Sequence, residues 1–300
     1  MTHSYLKSTL ALATLIALPT LSWAGTTTKA PAAATPVEKI NSSAITGDIG
    51  LSVYTTMYSR GSILFKENPT ILPYIDLFGT VYEGDGFLNK AVLSLNITEY
   101  YGHKKIPGNL TNNSHWYEND IIPALALTFG KVTITEGYHN YTTPNGGGTF
   151  EGLNSSIGFD DGDLLGAFAL HPSFTYMQRT NSHGQYYEVA VGPGFSAGDV
   201  SVSFPAAIGF GEDGFYGSAP DPVTGKPTTK DGFAYFSLGT SVSYALPMPK
   251  TYGVWKLTAG VTYYHKDTNV TEHASLVGVS KTAPVKNDDV SASAGIVINF

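Results

Sequence analysis

The chain has 300 residues, no cysteine and a formal net charge of −7, and it contains 33 glycines, 19 tyrosines and 15 phenylalanines. The lack of cysteine excludes a disulfide framework and thiol chemistry, and the acidic balance argues against nucleic acid as a partner. Only 14% of the residues are charged. This composition opposes disorder and favours an all-β protein with many turns.

The N-terminus has the features of a secretory signal peptide. A short stretch containing Lys7 precedes an apolar run at 10–18, and Ser22-Trp23-Ala24 forms a small-x-small cleavage site. The apolar run is shorter than the roughly 20 residues of a spanning helix. We therefore expect cleavage after Ala24, which removes residues 1–24. Residues 25–45 are rich in Ala, Thr and Pro and are expected to form a flexible periplasmic lead-in.

From residue 46 to the C-terminus, apolar residues alternate with small or polar ones in short segments, as in β-strands with two unlike faces. Near the start, for example, Leu51 and Val53 alternate with Ser52 and Tyr54. Such alternation fits both a soluble sandwich and a membrane barrel. The pattern predicts about twelve strands, near 48–58, 71–82, 90–101, 119–129, 131–141, 150–159, 166–177, 186–195, 200–210, 233–246, 253–264 and 289–300.

The lengths of the connections distinguish the two folds. They are tight after the even-numbered predicted strands, as at Gly130 and at 197–199, and longer after the odd-numbered ones. Short turns on one rim and long loops on the other are typical of outer-membrane barrels, with periplasmic turns and extracellular loops. The sequence therefore predicts a single antiparallel transmembrane β-barrel over 46–300, in the outer membrane of a Gram-negative bacterium. The longer connections are 59–70, 102–118, 142–149, 178–185, 211–232 and 265–288.

The last predicted strand ends at the terminal Phe300. An alternating strand with an aromatic carboxy-terminus resembles the signal that the outer-membrane barrel assembly machinery reads. We therefore expect this machinery as a partner during assembly, and outer-membrane lipid and lipopolysaccharide as the surroundings of the folded barrel.

Five prolines conflict with the barrel prediction, because proline removes a ladder donor and a closed barrel has no free edge. We expect Pro73 and Pro123 near strand starts. The other three, Pro172, Pro193 and Pro205, require bulges or different strand boundaries.

The alternation also predicts which side chains face the lumen. Charges of both signs among Ser, Thr, Gly and Tyr describe a wet, polar interior. A barrel of about twelve strands lies between those filled by side chains and those with an open channel, so both a narrow pore and a packed polar plug remain possible. The lumen candidates are Tyr54, Tyr58 and Arg60 on the first predicted strand, Asp76 on the second, Glu188 on the eighth and Lys256 on the eleventh.

The sequence contains one weak catalytic candidate. His171 and Ser173 lie two residues apart, hence on one face of a predicted strand, which resembles the His-x-Ser pair of outer-membrane lipid A deacylases. The alternating apolar residues, such as Phe168 and Leu170, would face lipid, which turns the pair toward the lumen, and no third orienting group can be placed beside it. Two ordinary lumen-facing polar residues are the preferred interpretation.

No metal or cofactor is expected. Three acidic clusters could offer oxygen ligands to Ca²⁺, but none has the spacing of a calcium-binding loop, so solvated turns are the preferred interpretation. These clusters are Glu212-Asp213, Asp160-Asp161-Gly162-Asp163 and Asp288-Asp289.

An ordered series of motifs resembles a family of uncharacterised proteobacterial outer-membrane proteins. Tyr58-Ser59-Arg60-Gly61 is similar to the family's Tyr-x-x-Arg-Gly opening, with one residue instead of two between tyrosine and arginine. The resemblance implies a barrel and an envelope location, and it implies no catalytic residues. It continues over most of the chain after the signal peptide, at 73–77, 82–87, 116–118, 164–172, 209–211, 215–217 and 261–264.

The leading functional hypothesis is a passive, non-enzymatic, porin-like channel for small polar solutes. Arg60, Asp76, Glu188 and Lys256 would set the potential in the lumen, and the loops at 211–232 and 265–288 would narrow its mouth. Two alternatives remain open: an outer-membrane lipid hydrolase that uses His171 and Ser173, and a structural or adhesive barrel whose loops bind a partner.

Overall fold

The computed structural model of the protein describes residues 45–65, 69–102, 115–143, 148–180, 183–212, 214–216, 231–267 and 287–300. The predicted signal peptide and nearly all of the predicted lead-in lie outside these ranges. Most of the predicted long loops at 102–118, 211–232 and 265–288 also lie outside them.

The described residues form sixteen β-strands, one short α-helix and two 3₁₀ turns at Gly166–Phe168 and Lys250–Tyr252. None of the helical segments within those ranges is long and apolar enough to cross a membrane. The elements are β1 (Ile45–Tyr54), β2 (Met57–Ser59), β3 (Ser62–Phe65), β4 (Thr70–Glu83), β5 (Lys90–Gly102), β6 (Trp116–Phe129), β7 (Val132–Thr143), β8 (Gly148–Phe159), α1 (Gly162–Leu165), β9 (Ser173–Arg179), β10 (Gln185–Val191), β11 (Gly194–Ala197), β12 (Val200–Ser203), β13 (Ala206–Glu212), β14 (Gly232–Ala245), β15 (Val254–Lys266) and β16 (Asp288–Asn299).

Twelve of these strands close into one antiparallel barrel. The ring runs β1, β4, β5, β6, β7, β8, β9, β10, β13, β14, β15 and β16, and it closes where β16 pairs with β1 from Asp48↔Asn299 to Tyr54↔Ser293. Strands β11 and β12 form a short hairpin between β10 and β13 in the chain. Strand β12 also pairs with β14. The prediction of a single antiparallel barrel of about twelve strands is confirmed.

The outer surface of the barrel is apolar. On β1, Ile49, Leu51 and Val53 point outward and are exposed, and the same face continues around the ring through Leu93, Leu125, Ile157, Val189, Leu238 and Val261. A contiguous apolar belt of this extent is not tolerated in water. Aromatic residues lie toward both rims, as in transmembrane barrels. They include Phe87, Phe168 and Tyr252 at one end and Tyr101, Trp116 and Tyr263 at the other. The chain is therefore a membrane-spanning β-barrel.

The short connections share one rim with the C-terminus. Phe300 and Gly47 exchange two backbone hydrogen bonds of 2.9 and 3.0 Å there. Two of the tight turns place Gly130 and Gly198 at φ +59° and +60°, a left-handed conformation in which glycine avoids the cost of a side chain. We call this end the periplasmic rim and the opposite end the extracellular rim, following the loop-length pattern of outer-membrane barrels.

Three of the five conflicting prolines lie outside the ladders. Pro172 precedes β9, and Pro193 and Pro205 lie in the breaks between β10 and β11 and between β12 and β13. The carbonyl groups of Pro193 and Pro205 still accept hydrogen bonds from the N–H groups of Phe204 and Gly239, both at 2.8 Å. In these breaks the proline carbonyl groups are hydrogen-bonded, and the missing N–H group of the proline is not needed for strand pairing.

The other two prolines lie within strands. Pro73 is the fourth residue of β4, whereas Pro123 lies in the middle of β6, so the expectation of a strand start is wrong for Pro123. Each ladder opens on one side at the proline. Pairing of β4 with β5 skips 72–73, and pairing of β6 with β7 skips 122–123, without a change of register.

Two predicted strands have different boundaries in the structure. The strand predicted at 166–177 begins only at Ser173, because residues 162–168 are helical. The carboxylate of Asp161 fixes this connection by accepting hydrogen bonds from the N–H groups of Leu170 and His171, at 2.9 and 2.8 Å. The first predicted strand, 48–58, ends at Tyr54, and the following residues form a separate hairpin.

Candidate functional site

A hairpin inside the barrel forms the centre of the candidate site. Strands β2 and β3 pair with each other in a sheet of their own, and Arg60 and Gly61 connect them. Both connecting residues have positive φ, +49° and +80°, as a type I′ turn requires. Met57 and Tyr58 are 1% exposed and Arg60 is 7% exposed. We call residues 57–65 the inner hairpin.

Hydrogen bonds from the barrel wall and an adjoining loop hold the tip of the inner hairpin. The Arg60 guanidinium donates to the hydroxyl of Tyr141 and lies 3.5 Å from Nδ1 of His139. Its Cζ is 5.3 Å from the centroid of the Tyr141 ring, within cation–π range. From the loop after β13, the hydroxyl of Tyr216 donates to the Arg60 carbonyl at 2.7 Å. The guanidinium therefore occupies a polar, aromatic-lined position on the β7 side of the lumen.

The base of the inner hairpin is fixed from the opposite side of the barrel. The ring of Tyr58 stacks on that of Tyr264, with centroids 4.1 Å apart and an interplanar angle of 22°. Lys266 Nζ donates to the Tyr58 hydroxyl at 3.3 Å and lies 3.9 Å from a carboxylate oxygen of Asp289. These contacts involve β15 and β16, so the hairpin bridges the lumen between opposite walls.

Carboxylates of the wall surround this region. Glu118 and Asp120 project from β6 and are buried, and Asp120 accepts a hydrogen bond of 3.1 Å from the Tyr100 hydroxyl. Glu188 on β10 accepts hydrogen bonds from the hydroxyl groups of Tyr186 and Tyr235. The positive charge of Arg60 acts electrostatically on Glu118, Asp120 and Glu188.

The structure places the predicted lumen residues in two groups. Tyr58, Arg60 and Glu188 lie in the extracellular half. The prediction that Tyr58 and Arg60 lie on the first barrel strand is wrong, because both belong to the inner hairpin. The reason for this difference is the turn at Arg60-Gly61, which reverses the chain inside the barrel. Tyr54, Asp76 and Lys256 lie apart from this group on the lumen face of the wall, and Asp76 accepts a hydrogen bond of 2.6 Å from Asn96.

Sequence reasoning missed several members of the site. Glu118 and Asp120 are spaced two apart and alternate with outward-facing Asn119 and Ile121, so their position could have been read from the same pattern. His139 and Tyr141 lie on β7, where apolar and polar residues do not alternate cleanly, so the sequence pattern assigns no faces to this strand. Lys266 lies at the end of β15, just beyond the strand predicted at 253–264.

His171 and Ser173 do not share a strand face. His171 precedes β9 and has a φ of +48°, and its Nδ1 lies 3.7 and 3.6 Å from carboxylate oxygens of Asp160 and Asp161. Ser173 is the first residue of β9 and faces the lumen. The expectation that the two side chains stand on one face of a strand is therefore wrong, because the Asp161 hydrogen bonds keep 170–171 out of the ladder.

Asp161 itself lies in the periplasmic connection, outside the spanning strands. Burial alone would raise the pKa of its carboxyl group, but the hydrogen bonds from Leu170 and His171 outweigh it, so the pKa lies below the ordinary value of an aspartate. Within the described ranges, no three His, Asp or Glu side chains are grouped so that they could hold a metal ion.

Comparison with known proteins shows likeness in fold only. No protein-family profile matches the chain, and no curated protein sequence matches it. Outer membrane phospholipase A from Escherichia coli is similar over 84% of this chain and 90% of its own, at 11% identity and a TM-score of 0.44. An outer membrane channel from Pseudomonas putida F1 is similar over 89% and 99%, at 8% identity and a TM-score of 0.43. OmpT of Vibrio cholerae is similar over 87% and 99%, at 9% identity and a TM-score of 0.36. Similarities this weak bear on neither substrate nor activity.

Proposed function

We propose that the protein is a non-enzymatic, porin-like channel for small polar solutes in the outer membrane, and that the inner hairpin closes it. One observation carries the proposal: the segment that fills the extracellular half of the lumen has its own two-stranded sheet, separate from the barrel sheet. Side-chain hydrogen bonds and ring stacking hold it in place. A segment attached in this way can leave the lumen without breaking the barrel ladder.

The periplasmic half of the lumen supports the same proposal. Small residues occupy many of the positions that face inward there, so the backbone of the wall itself does not block the passage of a solute at those positions. The barrier to passage is then the inner hairpin together with the side chains that grip it. These small residues include Ser94, Ala124, Thr135, Ser156, Ser241, Gly260 and Gly295, whereas the ring of Tyr74 lies over Gly50.

Planar-bilayer recording of the purified protein tests the proposal. Tyr54 and Thr70 are paired directly, so a short Gly-Ser turn can replace residues 57–65 without moving the wall strands. We expect the wild type to show rare or small current steps and the replacement variant to show larger, longer ones. A Gly-Ser replacement of 84–86, in a periplasmic turn, is the matched control and should behave as the wild type. The absence of current in both the wild type and the hairpin replacement, at every voltage, would refute the channel.

A further inference from the structure

The guanidinium of Arg60 lies in a wall environment suited to a cation. The charge acts on three carboxylates, Glu118, Asp120 and Glu188. Two other cations have partners of their own. Lys266 is close to Asp289, at 3.9 Å, and Arg179 donates to the carbonyl of Phe215 at 3.1 Å. Among the described residues, Arg60 is therefore the cation whose charge acts on all three of these carboxyl groups.

One of the two carboxyl groups of β6 also lacks a full set of donors. Asp120 is completely buried, and its Oδ2 accepts from Tyr100, whereas its Oδ1 accepts no hydrogen bond from a donor in the described part of the chain. Glu118 interacts with Asp120 directly. Two adjacent buried carboxylates require a proton or a cation between them, since an uncompensated buried charge is strongly destabilising.

Tyrosine rings complete the surroundings. Tyr141 lies beneath the Arg60 guanidinium, Tyr100 contacts Asp120, and Tyr186 and Tyr235 both bond to Glu188. Carboxylates combined with aromatic faces favour organic cations, which gain cation–π attraction and directed hydrogen bonds together. A planar guanidinium uses both, because its N–H groups point outward in the plane while its faces stack.

We infer that this cluster is a binding site for organic cations with a guanidinium or primary ammonium group, and that Arg60 occupies it as a tethered competitor. This inference rests on the proposed channel function and names its solute class. A cationic solute that enters from the extracellular side competes with Arg60 for Glu118, Asp120 and Glu188. Once the inner hairpin leaves, the same carboxylates make the channel select cations over anions.

The binding claim is tested by chemical rescue. Arg60→Ala should unfold at a lower temperature than the wild type in detergent, and methylguanidinium should restore part of the loss with saturation, while sodium chloride at equal ionic strength should not. Adding Asp120→Asn should abolish the rescue. Lys131→Ala, which removes a cation at the periplasmic turn, is the matched control and should show no such rescue. Equal effects of methylguanidinium and sodium on Arg60→Ala would overturn the inference. If Arg60→Ala does not fold, Arg60→Gln removes the charge while retaining a long polar side chain.

Selectivity separates this inference from the channel itself. In a potassium chloride gradient, Arg60→Ala should give a reversal potential shifted toward that of K⁺, and methylguanidinium on the extracellular side should reduce the current. A conducting variant without cation preference would overturn the inference and leave the channel proposal standing. Absence of current in the wild type, Arg60→Ala and the hairpin replacement would refute the channel, and saturable rescue of Arg60→Ala would then still support the binding site.

Discussion

Substituting Gly61 with alanine tests whether the inner hairpin is seated as described. Gly61 has a φ of +80°, and an added Cβ would lie 2.6 Å from Cδ1 and 2.9 Å from Cγ of Tyr235. The left-handed backbone costs alanine about 1–2 kcal/mol. Displacing a packed ring costs about 1–3 kcal/mol more, and Tyr235 is fully buried. The sum of about 2–5 kcal/mol acts against the seated hairpin. A shift of that size changes the ratio of seated to released hairpin by roughly 30-fold or more.

We therefore expect Gly61→Ala to increase the open time of single channels in planar bilayers and to lower the unfolding temperature. Gly198→Ala is the matched control, because Gly198 has a φ of +60° and no atom lies within 4 Å of the added Cβ. It carries only the backbone cost and lies in a periplasmic turn, so its current should match the wild type. If the two variants lose the same stability and pass the same current, the inner hairpin does not pack against Tyr235.

Three further predictions concern the periplasmic connection, the lipid-facing surface and catalysis. Asp161→Ala should lower the free energy of unfolding in lipid by about 3–6 kcal/mol, because two hydrogen bonds to a charged carboxylate are lost. The lowered pKa of Asp161 means that this contribution is present above the ordinary pKa of an aspartate and is lost as the pH falls through the folded value, so acid titration of stability should narrow the gap between wild type and variant. Glu136→Leu should raise the stability of the barrel in bilayers by about 1 kcal/mol, measured by reversible folding; a loss would contradict the placement of Glu136 on the lipid face. Neither the wild type nor Ser173→Ala should hydrolyse lipopolysaccharide, and an activity that disappears in Ser173→Ala would instead establish the hydrolase.

The barrel wall could be predicted from the sequence because strand alternation is a local signal with a period of two. Leu51 and Val53, for example, face outward as the pattern requires. The stretch at 164–171 shows where this signal fails. Leu164, Gly166, Phe168 and Leu170 alternate with other residues as on a strand, yet the carboxylate of Asp161 fixes the segment in another conformation. A side chain that bonds to backbone groups nine and ten residues ahead leaves no periodic trace.

The inner hairpin could not be predicted for a related reason. Alternation continues from Tyr54 to Tyr58, and the reversal depends on two consecutive residues with positive φ, one of them Arg60. Arginine is rare in that conformation, and the usual signals for such a turn are Asn-Gly and Asp-Gly. The conformation is stable because Tyr141 and Tyr216 hold Arg60 through hydrogen bonds, and because its charge interacts with the neighbouring carboxyl groups. Those partners lie about 60 or more residues away in sequence, so only the closed barrel brings them together.

The faces of β7 are imposed by its neighbours, and Glu136 makes this clear. Its own pattern is ambiguous, since Glu136 and Asn140 lie on one face and Thr135 and His139 on the other. The register with β6 and β8 pairs Glu136 with Leu125 and Ser155, which turns it outward, and the Ser155 hydroxyl donates to it at 2.6 Å. Glu136 is the fifth residue of the strand, counted from its periplasmic start at Val132, which places it about 10 Å up a lipid-facing band of about 25 Å. The ladder bonds of two long neighbours outweigh the cost of one lipid-facing carboxyl group, which is why replacing Glu136 with leucine should stabilise the barrel.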